Sequence, residues 1–176
     1  MELGVLSESE AMIMLLNHAG IASLEKESEE HQRALEIVKL CACLPLTLAI
    51  AGGMVAASGG FANEIIEAMR SDMGKQLMGD GGMTVEENII ASSLKMIDRH
   101  PQAVPIHSVF KCFVVFPEDI PVPKAILDVL APSFFPSAST AGAAMTVMAK
   151  CISVLLNYNL LKGSLSAGNG VFMHGQ

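Results

Sequence analysis

The chain has 176 residues, of which 51% are apolar and 16% charged, with no Trp and a single Tyr. That mixture excludes a disordered or collagen-like chain and is ample for a buried core, as one domain or two small ones at about 150 residues per domain. Eleven basic against 18 acidic residues leave a net charge of −7, which argues against a general nucleic-acid binder.

The acidity is uneven. Residues 1–85 hold 5 basic and 12 acidic groups, whereas residues 86–176 hold 6 of each. A domain break near residue 80 is therefore expected. Cys41, Cys43, Cys112 and Cys151 form no CxxC pair and no His stands at ligand spacing from them, so no metal is expected. Free thiols packed as small hydrophobes in a reducing, cytoplasmic compartment fit this usage. The opening MELGVLSESEAM has neither the basic nor the apolar region of a secretory signal.

Ser7 starts the first helix, with Glu10 three residues on completing a capping-box pattern and Gly20 as the stop. A second helix starts at Ser28, where Glu29 and Glu30 suit the positive end of the helix dipole. Its apolar positions Ala34, Leu35, Ile37, Val38, Cys41 and Ala42 follow the 3.6-residue period, which would also point Cys41 and Cys43 to different faces. Pro45 is expected to end that helix and to open a third, from Leu46 to about Ala57. Leu40 to Asn63 carries no charge, as a membrane span would, but Pro45 and the pairs Gly52-Gly53 and Gly59-Gly60 interrupt it. It reads as a buried core helix, and no membrane association is expected.

Residues 61–73 read as a shorter amphipathic helix, and the glycine-rich 76–83 as a linker. Thr84 with Glu87 repeats the capping box and opens a helix to His100. Short helices follow at 104–115 and from Lys124 to Ala131, then a Pro-rich turn, then a long apolar helix from Thr140 to Tyr158. LLKGSL and VFMH, separated by a Gly/Asn turn, form a β-hairpin. The fold class is thus mainly α: a helical lobe at 1–75, the linker at 76–83, and a winged-helix lobe at 84–176.

There is no GxxxxGK[ST], GxSxG or HExxH motif. The carboxylates at 25–30 read as a solvated face, and Glu118-Asp119 between prolines as a surface turn. No catalytic residue is predicted.

Three segments in order resemble the NB-ARC signalling ATPases, the family of plant disease-resistance proteins and the apoptosome adaptor. EEHQRALEIVKLCACLPLTLAIAGGMV is similar to that family's helix–GLPL–helix block. HSVFKCFVVFPEDIPVPKAIL resembles its "K.CF..FPED..IP...L" block, and ISVLLNYNLLKGSLSAGNGVFMHGQ its helix-to-MHD block. Together they cover most of residues 5–176.

The resemblance implies a nucleotide-binding switch in signal transduction, such as a defence response. ADP is held between a P-loop domain, a helical lobe and a winged-helix lobe, and ATP exchange permits oligomerisation. It assigns adenine contact to Pro45, flanked by Leu44 and Leu46, and β-phosphate contact to His174, preceded by Met173. Cys43 stands where the family has the glycine of GLPL, and Gly175 where it has the aspartate of MHD. The family's phosphate loop, Walker B acid and arginine sensor would precede residue 1, so the chain reads as the second and third lobes of a truncated product or gene model. Its ADP/ATP binding would need the P-loop domain as partner, and hydrolysis by these lobes is not expected. The alternative is a winged-helix DNA- or protein-binding module, but the two helices at 123–131 and 140–158 carry only Lys124 and Lys150. Neutralising phosphates with so few cations would be poor.

Overall fold

A computed structural model describes residues 5–76, 83–165 and 170–173, with the backbone alone at 72–76. The chain is mainly helical and divides into two units between Met96 and Ile97.

The first unit opens with α1 (Glu8–Ala19). Ser7 N–H donates to Glu10 Oε2 at 3.0 Å and Glu10 N–H donates to Ser7 Oγ at 3.3 Å, the reciprocal cap expected. Ala11, Leu15 and Ala19 bury one face, and Gly20 in the left-handed region stops the helix. Helix α2 (Glu29–Leu40) is capped by Ser28 Oγ, which accepts from His31 N–H at 3.1 Å. It buries Ala34, Ile37 and Val38, and Arg33 Nη1 donates to Phe61 O at 3.1 Å.

Contrary to expectation, α2 does not run to Pro45. It stops at Leu40, because Ala42 (φ 50°) and Cys43 (φ 54°) turn left-handed. Cys41 is its cap and Cys43 lies outside it, so the two thiols do not share a helix.

Helix α3 (Pro45–Ser58) starts on the proline, as predicted, because a missing N–H costs nothing at the first helical position. Thr47 to Val55 are all buried, so the uncharged run is a core helix. No helix among the described residues is long and apolar enough to cross a membrane. A Cβ on Gly52 would stand 2.4 Å from His18 Cβ and 3.0 Å from Leu15 O, so glycine is what allows α1 to lie so close on α3.

Helix α4 (Asn63–Gln76) pairs with α2, and α5 (Val85–Ile97) follows. The Thr84–Glu87 capping box forms, with bonds of 2.7 and 3.2 Å, and the helix ends at Ile97 rather than His100. The predicted linker lies mostly outside the described residues. The division at 96/97 groups α5 with the first unit, whereas the sequence placed it in the second. Glycine content and charge balance suggested a boundary in the sequence; what the next helix packs on decides its membership. Asn88 and Ser92 of α5 bond to α4.

The second unit contains α6 (Ala103–Phe113), α7 (Lys124–Phe134), α8 (Ala141–Asn157), β1 (Lys162–Ser164) and β2 (Gly170–Phe172). Helix α8 packs on both α6 and α7. It is capped by Thr140 Oγ1, which accepts from Ala143 N–H at 3.1 Å, and buries Ala144, Met145, Met148, Cys151, Ile152 and Leu155. Helix α7 continues through Pro132 to Phe134, three residues past the predicted end.

Strands β1 and β2 are antiparallel, with Gly163 opposite Val171. An isolated antiparallel bridge, which the sequence reading missed, pairs Val122 with Val171. Three helices followed by a two-stranded hairpin make up the described part of this unit, mainly α with a hairpin near the C-terminus as expected.

Candidate functional site

The proline corner is built by the residues before it. Ala42 N–H donates to Lys39 O at 3.0 Å, Cys43 N–H to Val38 O at 3.4 Å and Leu44 N–H to Cys41 O at 3.0 Å. These bonds satisfy the last carbonyls of α2 while the chain reverses. Leu6 N–H donates to Cys43 O at 3.2 Å, tying the segment before α1 onto the corner.

The buried Thr47 hydroxyl is 2.8 Å from both Cys41 O and Leu44 O, so it bridges the two ends of the turn. Sequence reasoning missed Thr47. The signal available was a lone hydroxyl in an apolar run, two residues after a helix-opening proline. Burial pushes the Cys41 thiol up to about 12, so Cys41 is an inert packing group.

Leu44, Pro45 and Leu46 are each half-buried. None of them titrates, so this ridge offers apolar surface and no proton chemistry. Cys43 has φ 54°, where a side chain costs strain and glycine would not.

In the second unit the structure joins two of the three resembling blocks. Asp119 N–H donates to Met173 O at 3.1 Å. Val122 N–H donates to Val171 O at 2.9 Å, and Val171 N–H returns to Val122 O at 3.1 Å. The FPED–IP stretch therefore runs antiparallel beside the strand that leads to Met173. Asp119 holds φ 57°, and Met173 is half-buried. His174 lies outside the described residues.

Two glycines make that approach possible. A Cβ on Gly170 (φ 73°) would stand 2.6 Å from Val122 O, and one on Gly163 (φ 100°) would stand 2.2 Å from Gly170 O. Sequence reasoning used glycine as a turn marker only; its role inside the strands depends on which backbone lies opposite.

Shallow grooves of about 300 and 420 Å³ flank Ile13 on the outer face of α1, and Pro45 lines neither. The exposed face of α8 presents Gly142, Thr146, Lys150, Ser153 and Asn157, with one cation among them. No protein-family model matches the chain, and no curated protein matches it.

Proposed function

We propose that the chain supplies the helical and winged-helix lobes of an NB-ARC-type signalling switch that binds ADP and ATP and does not itself hydrolyse them. The observation that carries this reading is the bond between Asp119 and Met173, next to the Val122–Val171 bridge. These contacts bring together two sequence blocks, some 50 residues apart, that resemble the same family. The element order of the second unit and the proline corner of the first agree with it.

In this reading the half-buried Leu44–Pro45–Leu46 ridge takes the flat apolar face of adenine. His174, the next residue in the sequence after Met173, donates to a β-phosphate oxygen. The chain has no phosphate loop, so a P-loop partner domain supplies the phosphate cradle. A nucleotide that favours the closed state over the open one biases the switch through that difference alone. Release of the closed state permits homo-oligomerisation.

The test is calorimetry of ADP binding to the chain mixed with the P-loop domain encoded upstream in the same gene. Wild type is expected to bind ADP at least tenfold more tightly than His174→Ala, which is about 1.4 kcal/mol. Equal affinities remove His174 from the site. A gene that encodes no such domain removes the intact switch. Tight, salt-sensitive DNA binding by the chain would favour a winged-helix DNA reader instead. The single cation on the exposed face of α8 speaks against that outcome.

A further inference from the structure

Helix α1 carries six apolar residues in succession, Ala11 to Leu16. At 3.6 residues per turn such a run reaches every side of the helix. A helix that is apolar all round is a buried one, and α3 is buried without a break from Thr47 to Val55. Helix α1 is not. Packed on α2 and α3, it buries only the stripe Ala11, Leu15 and Ala19. Met12, Met14 and Leu16 are half-buried, and Ile13 is 60% exposed.

Ile13 forms a ridge between two grooves. The larger, about 420 Å³, lies between α1 and α2, where Met12 and Leu35 give it apolar walls. The smaller, about 300 Å³, runs along the other flank past Met14. Glu8 lines the first groove and Glu10 the second. Both stand in the first turn of α1, so the two carboxylates mark the same end of the face. The Ser7 hydroxyl and amide hold the Glu10 carboxyl below its usual range, which keeps it anionic. Among the described residues, neither groove is lined by a lysine or an arginine.

Parallel grooves on either side of one ridge suit a second helix, whose side chains at i and i+4 enter one groove each. Carboxylates with no cation beside them in the lining select a cationic occupant. They repel an anionic membrane surface. A second copy docking through the same face would bring the same carboxylates and no lysine or arginine to meet them.

From these observations we propose that the outer face of α1 is a docking surface for a cationic amphipathic helix of another polypeptide. Two apolar side chains of that helix straddle Ile13, and a lysine or arginine one turn along reaches Glu8 or Glu10. The unbranched side chains of Met12 and Met14 let the grooves adapt to what enters them. The surface is independent of the nucleotide reading, and its test contains no nucleotide.

The test is fluorescence anisotropy of the full chain with a labelled helical peptide carrying leucines at i, i+4 and i+8, flanked by lysines. A second peptide has glutamates in place of the lysines. The lysine peptide is expected to bind at least tenfold more tightly than the glutamate peptide. Ile13→Ser is expected to weaken the lysine peptide at least tenfold and Glu8→Lys about fivefold. Val129→Ser, at an exposed apolar position of the second unit, should leave it unchanged. Equal affinity for the two peptides, or binding of neither, would overturn the proposal. So would equal weakening by Ile13→Ser and Val129→Ser. Self-association of the chain that Ile13→Ser abolishes would give the face to a second copy instead. Capture by phosphatidylserine vesicles that Ile13→Ser abolishes would give it to a membrane. Should Ile13→Ser not fold, the peptide pair and Glu8→Lys decide.

Discussion

The proline corner of the first unit and the wing of the second both turn on residues in the left-handed region, but they fill it differently. The wing uses glycine at Gly163 and Gly170, while the corner uses Ala42 and Cys43. The difference lies in what stands opposite. At the wing a Cβ would enter a neighbouring backbone carbonyl, 2.2 Å from Gly170 O or 2.6 Å from Val122 O. At the corner Ala42 is exposed and Cys43 half-buried, so the cost is conformational strain without collision. Strain of about 1–2 kcal/mol per residue is tolerable in a folded domain; a carbonyl inside van der Waals distance is not. Glycine is obligatory where a Cβ would collide with a neighbour, as it would at Gly163 and Gly170, and not merely where the dihedral angle is left-handed.

The strongest way to break this comparison is Gly163→Ala. Collision and strain together should cost the second unit about 3 kcal/mol. The single Tyr158, at the end of α8, reports it as a lower urea midpoint by fluorescence. An unchanged midpoint would mean that the sheet yields easily and that the wing resembles the corner after all.

Thr47→Val should have a smaller effect. It keeps the shape but removes the hydroxyl that bridges Cys41 O and Leu44 O. Both carbonyls keep a backbone donor, Leu44 N–H and Leu48 N–H, so the loss is about 1 kcal/mol. Urea unfolding followed by circular dichroism measures it. A loss several times larger would show that the corner has no tolerance of its own.

The subtlest test runs in the stabilising direction. Cys43→Gly relieves left-handed strain of about 1–2 kcal/mol and gives back about 0.4–1 kcal/mol through a freer unfolded chain. The net gain should be about 0.5 kcal/mol. A rise in thermal midpoint checks it, and a fall would mean that the half-buried thiol contributes more packing than its backbone costs.

The local elements were largely legible in the sequence because their signals are local. Ser7 and Thr84 cap helices where the spacing placed them, and Pro45 opens α3. Errors arose where a neighbour outside the segment decides. The end of α2 was assigned to Pro45, yet the left-handed pair Ala42–Cys43 ends it earlier, and Thr47 bridges that turn. The bridge at Val122 was invisible as a pattern, since a single bridged residue between prolines has no period. Of the candidate site, Pro45 and its flanking leucines were nominated by a resemblance, and so was Met173. The Asp119 amide that fixes Met173 O was not.

The sequence by itself determined where helices start, which run is buried, and that a hairpin closes the chain, because caps, prolines and hydrophobic periods act over a few residues. Only the tertiary structure decided that α5 sits with the first unit and that FPED–IP lies beside the strand to Met173. It alone also decided that Gly52, Gly163 and Gly170 are steric necessities. Each of those facts depends on an atom supplied by a distant part of the chain, and no local pattern encodes what will stand opposite.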